Sequence, residues 1–290
     1  MSEVGQPQQY RHPGHVFMSS YGLLHNDEGV FRYVNFLRQE AGLSDEPPID
    51  LSLIYRHFGI PTPLRAPLAD QQGILVDSEA GVILIKEDDS IVRQRFTEGH
   101  ELVELLFDAR ERLLGGAGVK PTWNEQKKEQ LCDHGAADLL MPQSSFLPRL
   151  HDSGISLSTG RTLANLYQTS LLATLVRMIQ YGLGAYALVM WHCALKRREM
   201  ESLNNLAVLP QKKLRVWWRT WTRNWTCGFI PKNKSISHDS LVSFAYITGQ
   251  PQNGAEILNL GWGPILCQVE AMPMQVGNKY CVLSLLHLLN

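Results

Sequence analysis

The chain has 290 residues, 44% of them hydrophobic, and a formal net charge of -1. That is enough sequence for two domains, or for one with an appended module, and enough apolar matter for a real core. The near-zero charge supplies no global attraction to nucleic acid or to an anionic membrane, so either would need a local patch. No run approaches the roughly 18 apolar residues of a membrane-spanning helix, and Met1 to His15 is polar with Pro and Gly, unlike a secretion signal. A cytoplasmic protein with a loose N-terminus is expected. Cys132, Cys193, Cys227, Cys267 and Cys281 are odd in number and scattered, with no Cys-x-x-Cys pair, which points to reduced, mostly buried thiols rather than disulfides or a thiolate zinc site.

In chain order, Phe31 to Ala41 has helical spacing of apolar residues, with Gly42 as a stop. Asp50 is placed to cap a helix over Leu51 to Phe58, which Gly59 ends. Gly73 to Val76 and Gly81 to Ile85 are β-rich runs around a turn-like Asp77-Ser-Glu-Ala and predict a hairpin. Arg93 to Phe107 and Glu125 to Met141 predict two long helices, with Gly115-Gly116-Ala-Gly118 and Pro121 between them and Pro142 as the stop. Thr162 to Tyr167 and Leu171 to Ile179, joined by Gln168-Thr-Ser170, have helix-turn-helix proportions. After a Gly182 to Gly184 hinge, five runs have strand character: Ala187 to Leu195, Leu214 to Asn224, Leu241 to Ile247, Ile265 to Glu270 and Tyr280 to Leu286. They predict a small antiparallel-sheet domain.

The chemistry concentrates in the first long helix. His100 and Glu104 are four apart and share a helix face, and Glu101 sits at its edge. In His-Glu-x-x-His peptidases that edge Glu is the general base for a metal-polarised water, while here the second His is Glu104. His-Glu-x-x-Glu alone is a weak signal, and its bland meaning is a charged, solvated helix face or one paired with Arg93 and Arg95. The order hairpin, motif helix, second helix with Glu129 and the small Ala136-Ala137 face strengthens the metal reading.

Four matching stretches make the chain resemble the ImmA/IrrE metallopeptidases: Pro47-Pro48-Ile49-Asp50, Gly59-Ile60, Arg93-Gln-Arg-Phe-Thr97 with His100-Glu101-Leu102, and Glu129-Gln-Leu-Cys-Asp133 with Ala136-Ala137 and Leu139-Leu-Met-Pro142. The layout is most similar to the IrrE branch. The resemblance implies an α+β chain: a zincin-like metallopeptidase domain over 16–150, a helix-turn-helix module over 151–183 and a C-terminal GAF-like domain over 184–290. It implies His100 as first metal ligand, Glu101 as general base, Glu104 in the second-His position and Glu129 as third ligand. It further implies a helix-turn-helix transcriptional repressor as protein substrate, cut in a stress response. Zn²⁺ is the expected cofactor. One neutral imidazole with two carboxylates leaves a divalent site near zero charge rather than about +1, so Mn²⁺ or Fe²⁺ become competitors. Glu98 and the Asp133-His134 pair are further candidates to support or ligate the ion. The rival reading is a catalytically inactive pseudo-peptidase that acts by binding.

Outside that site, Arg215, Trp217, Arg219, Trp221, Arg223 and Trp225 alternate and predict one strand face, suited to bases, phosphates or a protein partner. Its bland reading is Arg stems covering Trp on an outer sheet face. The second helix of the helix-turn-helix pair has Arg177 as its one basic residue, poor equipment for reading DNA. Direct nucleic-acid binding is therefore weakly supported, and membrane binding is not expected. Gly81 to Ile85 is the strand expected to receive a substrate peptide by β-addition.

Overall fold

The computed structural model describes residues 9–115, 123–197, 199, 211–261 and 263–289. The glycine-rich linker expected between the two long helices lies mostly outside them. The chain is mixed α and β and divides into two compact units: 1–152 with 162–173, and 153–161 with 174–290.

Of the terminus expected to be loose, residues 1–8 lie outside the described residues, and from Pro13 the chain is helical. α1 (Pro13–Tyr21) starts with Pro in its first turn, which suits a residue lacking an amide hydrogen. Pro13, Gly14, Phe17 and Met18 are buried, so the polar start of the chain turns inward from His12 onward. α2 (Glu28–Glu40) and α3 (Leu51–Phe58) follow. The Asp50 carboxylate accepts the Ser52 amide at 3.0 Å, and Gly59 ends α3 in the left-handed region at φ 65°, as the capping pattern predicts. β1 (Leu64–Ala66), β2 (Gly73–Asp77) and β3 (Val82–Lys86) form a sheet of order β1-β3-β2. β2 and β3 are the predicted antiparallel hairpin, and β1, too short to show periodicity, joins β3 in parallel. β3 is therefore central. The expectation that Gly81 to Ile85 receives a peptide fails, because both of its edges are already bonded. β1 and β2 are the two edge strands, and β2 is the one that lines the cleft described below.

α4 (Ile91–Leu113) and α5 (Glu125–Leu140) carry the site. They pack along a seam of small residues. A Cβ on Gly135 would lie 2.8 Å from Val103 Cγ2, and Gly99 faces Ala136 at ordinary contact distance. This lack of bulk brings the polar faces of the two helices within hydrogen-bonding reach. The core beneath joins Tyr33, Leu37, Ile54 and Phe58 of α2 and α3 to Leu102, Leu105 and Leu106 of α4 and Leu139 of α5. Tyr33 donates to the Leu102 carbonyl at 3.0 Å, and buried Arg38 donates to the Asp138 carbonyl at 2.9 Å. α6 (Gln143–Ser153) follows Pro142.

α7 (Leu157–Tyr167) and α8 (Leu171–Tyr181) are the predicted helix pair, α7 starting five residues earlier than its apolar spacing shows. The second unit is built on a five-stranded antiparallel sheet of order β5-β4-β8-β7-β6. Its strands are β4 (Tyr186–Ala194), β5 (Lys213–Trp221), β6 (Gln252–Asn259), β7 (Pro264–Val276) and β8 (Lys279–Leu288). Leu241 to Ile247, expected as a strand, is instead helix α9 (Leu241–Thr248). Its β-branched and aromatic content favours a strand, but the Ser240 side chain caps the Val242 amide and Gly249 closes the helix at φ 68°. The polar run 252–259 supplies the missing strand. Trp191, Val216, Val269, Val282 and Leu286 form the core of one sheet face, with Val242 and Ala245 of α9.

The alternating Arg and Trp residues do not share a face. A bulge in β5 pairs Trp191 with Val216 but Met190 with Trp218, so the alternation reverses at Trp217. Arg215 is buried at 1% exposure and donates to the Ala194 and Asn233 carbonyls, with a carboxylate contact from Glu199 at 3.0 Å. Trp217 stacks on His192, while Trp221 and Trp225 pack into the apolar core beyond the bulge.

Candidate metal centre

Two faces meet at His100. Its Nδ1 lies 3.0 Å from Asp133 Oδ1, which leaves Nε2 pointing the other way. Nε2 is 3.9 Å from Glu104 Oε2 and 3.5 Å from Glu129 Oε2. Donors held about 2.0–2.1 Å from a tetrahedral ion stand about 3.3 Å apart. The measured spacings are therefore those of atoms that could share one divalent ion with small side-chain adjustment. Asp133 supplies what such an imidazole needs: a carboxylate that fixes the tautomer and raises the basicity of the ligating nitrogen. Burial opposes protonation of His100, but the Asp133 hydrogen bond and charge, with Glu101 and Glu129, outweigh it and raise its pKa.

Glu101 lies behind this face at 5% exposure. Burial, reinforced by the charges of Glu104 and Glu129, pushes its pKa up to about 7 against the opposing pull of His100 and the Leu75 amide. That range lets a carboxyl give and take a proton near neutrality. The Leu75 amide belongs to the open edge of β2, so Glu101 stands between the His100 face and that edge. Gly73 makes the approach possible: a Cβ there would be 2.4 Å from Thr97 Cγ2 and 2.6 Å from Glu101 Oε1. The residues line a cavity of about 560 Å³ bounded by Gly73 and Leu75 on one side and by Arg93, Thr97, Glu129 and Asp133 on the other.

His100, Glu101, Glu104 and Glu129, the four residues expected in the site, all line this cavity, while the ligand atoms within 4.8 Å of one another are those of His100, Glu104 and Cys132. Of the supporting candidates, Asp133 holds His100, whereas Glu98 faces away and binds Tyr55 at 3.0 Å and Arg65 at 2.5 Å. The bland pairing with Arg93 and Arg95 does not form. Arg95 donates to the Ile49 and Gln168 carbonyls, and Arg93 lies nearest Asp89 at 3.5 Å. Lys128, which sequence reasoning missed, is the cation that meets the acidic face: its Nζ is 2.8 Å from Glu104 Oε1. The signal was its position, one residue before Glu129. Cys132, expected from the sequence to be a reduced buried thiol and not a metal ligand, is buried yet lies with His100 and Glu104 in a group whose ligand atoms are within 4.8 Å of one another.

The cleft thus combines a helix-borne His and carboxylate cluster, a buried carboxyl beside it and an open sheet edge. Residues 57–178 match the family model described as the IrrE N-terminal-like domain, peptidase M78, and the chain carries such a domain. Of solved structures, a Mycobacterium tuberculosis transcriptional regulator is similar in fold, with a TM-score of 0.58 and 11% identity over 96% of this chain and 80% of that one. No curated protein matches. Among the described residues, no helix is long and apolar enough to cross a membrane.

Proposed function

We propose that the chain is a metal-dependent endopeptidase of the IrrE kind that regulates transcription in the cytoplasm by cutting a helix-turn-helix repressor in a stress response. The observation that carries this reading is His100 itself, with Nδ1 held by Asp133 and Nε2 facing Glu104 and Glu129 at ligand spacing. His100, Glu104 and Glu129 would hold the ion, Zn²⁺ first, with Mn²⁺ or Fe²⁺ as competitors. When bound, such an ion supplies Lewis-acid polarisation to a water and to a peptide carbonyl. The rest falls to the chain. A substrate strand adds to the open edge of β2, which fixes its carbonyl beside His100. Glu101 takes the proton from water and returns it to the leaving amine, a role matched to its pKa near 7.

In this reading 16–150 is the peptidase domain, 151–183 the helix-turn-helix module and 184–290 a GAF-like sensor. The β5-β4-β8-β7-β6 order supports one continuous antiparallel sensor sheet. The likeness to the mycobacterial transcriptional regulator favours a regulatory rather than a digestive enzyme. A second reading, a pseudo-peptidase that binds without cutting, is favoured by Lys128, whose ammonium holds the carboxylate at the second ligand position. The two separate in one experiment. The metal-loaded chain and its Glu101→Gln variant are incubated with helix-turn-helix repressors and the products are identified by mass spectrometry. Discrete cleavage lost in Glu101→Gln supports the peptidase. Metal retention and repressor binding without cleavage in the parent would replace it with the binding role.

A further inference from the structure

We infer that Cys132 is a ligand of the divalent ion, its thiolate joining His100 and Glu104, an inference that rests on the metal centre described above. Two observations carry it. The ligand atoms of Cys132, His100 and Glu104 lie within 4.8 Å of one another. The Cys132 side chain is also fully buried, and among the described residues its thiol has no hydrogen-bond partner. It lies in the core that α5 shares with Leu102, Leu105 and Leu106 of α4, beneath the residues that line the cavity. Residues three apart share a helix face, so α5 presents Glu129 and Cys132 as a pair, just as α4 presents His100 and Glu104. His100, Glu104 and Cys132 form the mutually close set, with Glu129 3.5 Å from His100 at its margin, and Zn–S bonds near 2.3 Å permit wider donor spacing at sulfur than at oxygen.

The charge count accommodates the thiolate. One imidazole, two carboxylates and a thiolate around a divalent ion total about -1, and Lys128, bonded to Glu104 at 2.8 Å, restores neutrality. Sulfur also changes the metal preference. Two carboxylates beside one imidazole admit hard ions, whereas a thiolate selects Zn²⁺ or Co²⁺ over Mn²⁺. With Cys132 engaged, His100, Glu104 and Cys132 are the three protein ligands a catalytic site needs. Glu129, whose side chain is 58% exposed, is then the donor that yields to substrate.

The test uses the full chain, stripped of metal under reducing, oxygen-free conditions and titrated with Co²⁺. Visible d–d bands of four-coordinate cobalt report the metal centre, and a near-ultraviolet sulfur-to-cobalt charge-transfer band reports the thiolate. We expect both in the parent, loss of the charge-transfer band alone in Cys132→Ser, and loss of both in His100→Ala. Zinc affinity should fall by at least the roughly tenfold that loss of a supporting partner costs, with manganese affinity affected less. Visible bands with no charge-transfer band, or a band that survives Cys132→Ser, overturn the ligand assignment and leave the metal centre standing. If neither band appears in the parent, the centre itself fails. Zinc-edge absorption on the unmodified protein decides the matter if the variants do not fold: a sulfur shell near 2.3 Å supports Cys132, and a shell of nitrogen and oxygen alone refutes it.

Discussion

Glu101→Gln should change how the metal-free protein responds to pH, apart from any effect on catalysis. In the folded chain Glu101 has its pKa pushed from 4.5 to about 7, mainly by burial. The folded state therefore binds this proton more tightly than the unfolded state. Its stabilisation is full below about pH 4.5 and is lost as pH rises through about 7. At about 1.4 kcal/mol per pH unit the whole effect is about 3 kcal/mol, of which about 2.5 kcal/mol falls between pH 5 and 8. His100 acts in the same direction, because a raised imidazole pKa also gives stability at low pH that disappears on titration. The assay is urea unfolding in the presence of a chelator at pH 5 and 8. The parent should lose about 2.5 kcal/mol more than Glu101→Gln across that interval, and added zinc should flatten the parent's slope, since a nearby dication favours the carboxylate. Parallel pH profiles for parent and variant would refute the burial of an ionisable Glu101 between His100 and β2.

Three further outcomes follow from the same geometry. Asp133→Ala should lower metal affinity by about 10- to 100-fold without removing a ligand, measured by chelator competition; unchanged affinity would mean that Nδ1 needs no support. Gly73→Ala should cost about 1–3 kcal/mol and displace Glu101, because its Cβ meets Thr97 and Glu101 inside contact distance; full activity with an unchanged unfolding midpoint would contradict that approach. Restoring an imidazole by Glu104→His should raise zinc affinity less than Glu104→His with Lys128→Met, since the single change leaves the Lys128 ammonium beside the new ring without its carboxylate. Calorimetric zinc titration of both variants checks the order, and a single variant that binds as tightly as the double would remove Lys128 from the site.

Local signals in the chain were sufficient where one residue acts on its own neighbours. Asp50 and Gly59 bracket α3, the hairpin follows from two β-rich runs and a turn, and four-residue spacing places His100 and Glu104 on one face. Spacing is a property of a single helix, and so these readings needed no tertiary information. Segments where two local tendencies compete were misread. Leu241 to Ile247 has strand composition, but its Ser240 and Gly249 caps and the apolar core against Val242 and Ala245 favour a helix. The Arg and Trp alternation was real in sequence and was undone by a bulge, which exists only as a mismatch with the partner strand. Everything that depends on which strand lies at an edge, or on which residues of α5 meet α4, was decided by packing: the open side of β2, the grip of Asp133 on His100, the Lys128 pair and the approach of Cys132. Pairwise proximity across elements carries no periodic trace in the chain. It arises from where small residues such as Gly99, Gly135 and Ala136 let two helices close, and that closure turns a short acidic motif into a candidate metal centre.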